Sequence, residues 1–267
     1  MGQELSDKVA IGTGGSGGIG RATVELFAEH GARVVVADVD AEAGEELATG
    51  LGDAVVFRRT DVADADEVQA LVDFAVDRFG GLHVMFNNAG ISSSFRRFLA
   101  DDLRDFDRVM GVNLFGVVAG SQRAARHMAE HGGGSIINTA SIGGLTGGGP
   151  PVAYRTSKAA IVQFSRIIAV DLAEYGIRVN CIAPGHIPTG ITSYDIGPTI
   201  ELDQPLQRRG TPQDVAEAVL FLAGDRSAQI TGIMLPVDGG TVAGRPVSQM
   251  MGGKAVNPGG SRTHDGP

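Results

Sequence analysis

Short apolar runs alternate with longer amphipathic stretches along the chain, from its first residues to about residue 237. Residues 9–12, 33–37, 54–57, 84–86, 135–139, 178–182 and 233–236 are predominantly apolar at successive positions rather than at every second one. A strand patterned in this way is buried on both faces, as in a parallel sheet covered by helices. Between these runs, apolar positions recur at helical spacing over 19–30, 41–51, 67–78, 104–130, 152–174 and 212–223. Asp40, Asp64, Asp101 and Thr211 stand where side chains cap helix starts, and Gly31, Gly80, Gly132 and Gly176 follow the expected ends. The alternation predicts repeated strand–helix units and an α/β fold around one parallel sheet of about seven strands. Two segments leave the pattern: residues 185–209, with prolines at 188, 198 and 205, and the glycine-rich stretch from Gly239 onward. The first is expected to be a loop beside a substrate and the second a partly ordered tail.

Composition narrows the partners. The chain carries a net charge of −9 and no basic run longer than the pairs Arg58-Arg59, Arg96-Arg97 and Arg208-Arg209, so nucleic acid is not an expected partner. Cys181 is the single cysteine, which rules out an intrachain disulfide and suits a reducing compartment. The stretch 1–8 is polar and charged, and the longest uncharged run, 135–154, is crowded with Gly, Ser, Thr and Pro. Neither reads as a leader or a membrane span, and the expected location is the cytoplasm.

The candidate chemistry begins at Thr13-Gly-Gly-Ser-Gly-Gly-Ile-Gly20, which follows a strand and opens a helix. Backbone N–H groups and a helix N-terminus in that setting can hold a pyrophosphate, and a Cβ would block its approach. The G-x-G-x-x-G pattern fits in two registers, Gly12/Gly14/Gly17 or Gly15/Gly17/Gly20. Asp38, at the end of the second strand, is spaced to accept from a ribose 2′-hydroxyl and would repel a 2′-phosphate. With no Arg or Lys at positions 17 or 39, the expected cofactor is NAD rather than NADP.

Tyr154-Arg-Thr-Ser-Lys158 sets a phenol and an ammonium four residues apart, on one helical face. A nearby cation favours the phenolate, so Tyr154 can act as base for an alcohol or acid for a ketone. Ser141, at the end of the run 135–139, can hydrogen-bond the substrate oxygen.

In these residues the chain resembles the short-chain dehydrogenase/reductase family, from Lys8 to about Gly240. Thr13-Gly14, Gly18 and Gly20 match its T-G-x-x-x-G-x-G, and Asn87-Asn-Ala-Gly90 its central-strand motif. Asn113, Ser141, Tyr154 and Lys158 match its catalytic tetrad. The resemblance implies a Rossmann-type, doubly wound parallel sheet in a single domain, 1–240, with 241–267 as tail. It implies a cofactor held by Gly14, Ser16, Gly18, Ile19 and Gly20 at the phosphates, Asp38 at the ribose, and Asp61 and Val62 at the adenine. Asn88, Ala89 and Gly90 would lie beside it, with Tyr154, Lys158, Pro184, Gly185, Ile187 and Thr189 toward the nicotinamide. By the same likeness Asn113 would hold a water in a proton relay, Lys158 would bind the nicotinamide ribose, and the protein would be a homotetramer or homodimer. One departure is Gly12, where the family commonly has a bulky aliphatic residue; the missing side chain would cost roughly 1–3 kcal/mol at a buried site.

Two other readings remain open at this point. His127-Met-Ala-Glu-His131 fits the H-x-x-E-H pattern of inverted zinc peptidases, with Glu130 as base, although the glycines that follow suit two His in a helix's last turn. A dinucleotide-binding regulatory protein without catalysis is the other. The expected substrate walls, 92–95, 142–145 and 186–194, hold apolar groups and hydroxyls but no paired cations, which favours a small neutral or lipophilic alcohol or ketone.

Overall fold

The structure is a computed structural model that describes residues 3–190 and 196–250. Seven parallel strands form one sheet: β1 Val9–Thr13, β2 Arg33–Asp38, β3 Val55–Arg59, β4 Val84–Asn87, β5 Gly134–Thr139, β6 Ile177–Pro184 and β7 Met234–Val237, in the order β3-β2-β1-β4-β5-β6-β7. The chain winds outward from β1 to β3, then crosses to β4 on the other side of β1. A crevice therefore opens at the carboxyl ends of β1 and β4, where such sheets bind ligands.

The described helices are α1 Gly18–Glu29, α2 Ala41–Leu51, α3 Ala65–Phe79, α4 Phe106–Met110, α5 Gly116–Glu130, α6 Val152–Asp171, α7 Gly197–Asp203, α8 Pro212–Ala223 and the short α9 Val247–Met250. Successive strand residues serve opposite layers. Ala10, Val34, Val36 and Phe86 pack with Val24, Leu47 and Val219 of α1, α2 and α8. Val9, Ile11, Val35 and Met85 pack with Leu71, Ala124 and Ala169 of α3, α5 and α6. Each such aliphatic side chain contributes about 1.5–3 kcal/mol, and the two-sided burial explains why the strands read as unbroken apolar runs.

The expected seven strands are all present, and β6 reaches Pro184, beyond the expected end at 182. The helix expected over 104–130 is not one α-helix. It begins at Phe106 behind Asp105, and a π-helical turn, Gly111–Phe115, separates α4 from α5. Asp101 is not its cap; its carboxylate accepts from the Leu103 N–H at 3.1 Å, in a turn where Leu103 has φ 57°. The helix expected to reach 174 stops at Asp171, and a 3-10 turn, Ala173–Tyr175, ends at the left-handed Gly176. Within 185–209, Pro198 sits in the first turn of α7, where its missing N–H costs nothing. Residues 191–195, and 251–267 of the expected tail, lie outside the described residues.

Gly12 does not leave a hole. A Cβ there would stand 3.3 Å from Cγ2 of Val24, so Val24 fills the space and the expected penalty does not arise. Behind the crevice, the Asn87 amide donates to Ser121 Oγ at 3.1 Å and Asn138 Oδ1 at 2.9 Å, and the Asn138 amide donates to Ser165 Oγ at 3.0 Å. This buried network joins β4 and β5 to α5 and α6, and fits only because Gly120 has no side chain to overlap Asn87. Among the described residues no helix is long and apolar enough to cross a membrane.

Candidate active site

The turn after β1 is held from the neighbouring strand. Thr13 Oγ1 accepts the N–H groups of Asn88 at 2.9 Å and Ala89 at 3.1 Å, while the Asn88 amide donates to the Thr13 and Gly14 carbonyls. Thr139 Oγ1 donates to Asn88 Oδ1 at 3.3 Å. The Asn88 side chain is thus committed to the frame, and what it leaves to the crevice is backbone. Gly14 has φ 60°, and a Cβ on it would lie 2.8 Å from Ala89 Cα. Gly18 has φ 53°, and a Cβ on Gly20 would overlap the Gly14 carbonyl. The glycine requirement therefore falls on Gly14, Gly18 and Gly20, and Gly17 has open space around it.

Gly17 precedes α1 without any side-chain cap, so the first N–H groups of the helix face the crevice unpaired within it. A backbone cradle closed to Cβ atoms, joined to a bare helix N-terminus, fits a diphosphate. At the end of β2, Asp38 accepts from Ser16 N at 3.1 Å and Ser16 Oγ at 2.5 Å through one oxygen, and from Val39 N at 2.8 Å and Asp40 N at 3.2 Å through the other. Its carboxylate is fixed in direction before any ligand arrives.

Ser141 follows β5, and its Oγ accepts the Gly143 N–H at 3.0 Å, which leaves the hydroxyl proton to donate. Tyr154 and Lys158 sit one turn apart on α6, with Lys158 Nζ 5.8 Å from the centre of the Tyr154 ring. The point where a Cβ on Gly143 would stand is 3.4 Å from Ser141 Oγ and 3.7 Å from Tyr154 Cε1, so the two side chains flank one small space. Lys158 is 3 % exposed and donates to the Thr139 carbonyl at 2.7 Å. Burial pulls its pKa down to about 8.

Asn113 lies in the π turn, fully buried. Its Oδ1 accepts from Ile91 N at 2.8 Å, and its amide donates to the Ile91 carbonyl at 3.0 Å and to Ser157 Oγ at 3.1 Å. Ser157 Oγ in turn donates to the Tyr154 carbonyl at 2.7 Å. Both amide protons are spent inside the protein, so the expected water could be held only through Asn113 oxygen atoms. Gly90 keeps a gap between Asn113 and Lys158: a Cβ there would stand 3.4 Å from both Oδ1 and Nζ.

A cavity of about 700 Å³ joins these parts along the carboxyl edge of the sheet, from Asp61 after β3 to Pro184 at the end of β6. Five strand spacings give that edge a length of about 24 Å. All the expected cofactor residues line it except Gly20, which is buried behind Gly14, and of the expected tetrad only Asn113 stays out of the lining. Sequence reasoning missed the Thr139 carbonyl, Ile91 and Ser157, which act through backbone or as anchors, and Asp107, Arg108, Gly111 and Val112, which line the cavity at helical spacing. The expected walls 92–95 and 142–145 do not line it. They brace it instead, Ser93 Oγ accepting the Tyr154 N–H at 3.4 Å. Ile187, Thr189 and Gly190 do line it.

The zinc reading meets a different geometry. The His127 and His131 rings are stacked, with centroids 4.0 Å apart and an 11° interplanar angle, and His131 Nδ1 bonds the His127 carbonyl at 2.7 Å. The in-plane lone pairs of parallel rings do not converge on one ion. Among the described residues no cluster of three His, Cys, Asp or Glu could hold a metal.

A family model described as enoyl-(acyl carrier protein) reductase matches residues 12–242. Short-chain dehydrogenase reductase 4 of Arabidopsis thaliana is 42% identical, over 89% of this chain and 83% of that protein. Cis-4-hydroxycyclohexanecarboxylate dehydrogenase of Sinomonas cyclohexanicum is 40% identical, over 91% of this chain and 100% of its own length. The crystal structure of levodione reductase superposes with a TM-score of 0.86 at 33% identity, covering 90% of this chain and 99% of that one. Fold and matches together define an oxidoreductase that uses a nicotinamide nucleotide. The chain belongs to the short-chain dehydrogenase/reductase family.

The desolvated lysine generates a direct expectation. Its lowered pKa means that the ammonium is stable in the core only below about pH 8, and the proton is lost as pH rises through that value. In an NMR titration of lysine-labelled, ligand-free protein, one of the three lysine signals should titrate near pH 8 and disappear in Lys158→Met. A set of lysines all titrating near 10.4, the ordinary value, contradicts the burial argument.

Proposed function

We propose that the protein interconverts a secondary alcohol and a ketone with NAD, using Tyr154 as the proton-transfer group. The observation that carries this reading is the buried Lys158 ammonium beside the Tyr154 ring, with Ser141 Oγ across the same small space. A nicotinamide nucleotide, when bound, supplies or accepts the hydride. The protein's own groups manage the proton and the oxygen. Ser141 donates its free hydroxyl proton toward the substrate oxygen and so fixes that oxygen near the phenol. In oxidation Tyr154 takes the hydroxyl proton, and in reduction it returns one. Lys158 favours the phenolate by its charge, and Asn113, through Ser157, keeps the first turn of α6 in place.

Asp38 supports NAD over NADP. Its four hydrogen bonds hold a carboxylate at the end of β2, where it can accept from a ribose hydroxyl and repels a phosphate. For the substrate, the lining beyond Ser141 and Tyr154 offers Ile91, Ile187 and Thr189, which supports a small neutral or lipophilic alcohol. The relative named for cis-4-hydroxycyclohexanecarboxylate supports a hydroxyl on an aliphatic ring. Assembly as a homodimer or homotetramer belongs to the same proposal. Ile167 and Val170 of α6 are 58 % and 82 % exposed, and Phe115 and Tyr175 add further uncovered apolar surface.

Tyr154→Phe should lower kcat by about 10²–10⁴-fold with NAD affinity kept, and near wild-type turnover would reject the assignment. Asp38→Ser combined with Val39→Arg should move the ratio of kcat/KM for NAD and NADP toward NADP; an unchanged ratio means the carboxylate does not read the ribose. Sedimentation should show wild type heavier than one chain and Val170→Asp shifted toward monomer, and a wild type that is strictly monomeric would refute the assembly.

A further inference from the structure

The proposed reaction leaves one cation of the cavity without a task. α4 and the π turn set Asp107, Arg108, Gly111 and Val112 on one face, at i, i+1, i+4 and i+5, and all four line the cavity. Of these, Gly111 and Val112 stand against the turn Asp61–Val62–Ala63 after β3. A Cβ on Gly111 would lie 3.7 Å from Ala63 Cβ, and Val62 packs so closely on Gly116 that a Cβ there would come within 2.8 Å. The Asp61 carboxylate accepts the Ala63 N–H at 2.9 Å within that turn.

Arg108 is exposed, and among the described residues its side chain has neither a hydrogen bond nor an ion pair. Its lack of a partner is not for want of acids. Asp38, Asp40, Asp61 and Asp107 line the same cavity, whose described lining has only Arg108 and the buried Lys158 as cations. A long guanidinium loses about 2 kcal/mol of rotamer freedom when fixed, so one left free over a cleft is available to a ligand.

We propose that Arg108 is a clamp on the adenine base, its guanidinium lying on the base face that the Asp61–Ala63 turn leaves open. The inference rests on the dinucleotide reading above and extends it to a positioning residue that the glycine turn and Asp38 do not supply. Place in the sheet selects the base over the other anionic parts. The cradle for the diphosphate is at the end of β1, two strand spacings, about 10 Å, from the end of β3, against which the face carrying Arg108 packs through Gly111 and Val112. The ribose position is guarded on β2 by the Asp38 carboxylate. What remains beside the Asp61–Ala63 turn is a planar aromatic surface, and a planar guanidinium suits it better than an ammonium does.

Calorimetry on the intact protein with NAD, ADP-ribose and adenosine tests this without relying on turnover. Wild type should bind NAD and ADP-ribose. In Arg108→Ala the Kd of all three ligands should rise about five- to tenfold, with KM for NAD rising in step, kcat at saturation kept, and the melting temperature unmoved because the exposed Arg108 side chain makes no hydrogen bond or ion pair among the described residues. Arg108→Lys should restore little of the loss. A loss for ADP-ribose with none for adenosine, or full rescue by Lys, means that the charge meets phosphate and overturns the clamp. A Kd unchanged for all three ligands overturns it as well. Failure of wild type itself to bind NAD or ADP-ribose defeats the dinucleotide reading first and is seen before any variant is made.

Discussion

A lysine that is 3 % exposed, set between a strand-end carbonyl, Asn113 and the Tyr154 ring, is the constraint around which the rest is arranged. Water would solvate its ammonium by far more than the protein can replace with one bond, and burial accordingly pulls its pKa toward 8. Its Nζ donates to a strand-end carbonyl, Thr139, at 2.7 Å. That bond fixes Nζ at the carboxyl edge of β5, and α6 then has no freedom in where it places Tyr154, one turn earlier. An ammonium held with so little solvation gains from any anion that forms nearby, and the phenol beside it is the group positioned to become one. In the proposed reaction, the cost of burying the charge and the acidity required of Tyr154 are the same electrostatic fact viewed from two side chains.

The frame around that pair is built from uncharged amides. Asn88 ties the glycine turn to β4, Asn87 and Asn138 tie the central strands to α5 and α6, and Asn113 ties the π turn to Ile91 and, through Ser157, to α6. Neutral amides give directional bonds at a small desolvation cost, whereas carboxylates in the same places would pair with Lys158 and quench it. The division is consistent: acids stand at the solvent-facing rim of the cavity, at positions 38, 40, 61 and 107, and none approaches the lysine in its lining.

The sheet was legible in the sequence because two-sided burial leaves an apolar run at each strand, and Tyr154, Lys158, Ser141 and the glycine turn were legible because their spacing is local. The π turn was not. Apolar periodicity over 104–130 averages across several turns, and one extra residue within a turn shifts the phase by only about 100°. That shift is what carries Asn113 inward, and no propensity marks it. Pro198 misled in the opposite direction, since it begins a helix as readily as it ends one. The bonds by which Asn113 ties the π turn to Ile91 and Ser157 were not legible either, because those partners are distant in the chain.

The glycines separate the two halves of the cavity. On the phosphate side they are needed for backbone reasons: Gly14 and Gly18 have positive φ and Gly20 sits against a carbonyl. On the reactive side Gly90 and Gly143 have ordinary backbones, and a methyl would fit at either with contacts of 3.4 Å or more. What their missing side chains supply there is volume: Gly90 keeps open the gap between Lys158 and Asn113, and Gly143 the gap between Ser141 and Tyr154. A chain that needed only to bind a dinucleotide would require the first set and not the second. The presence of both, around side chains that can exchange a proton, is the structural argument for turnover over mere binding.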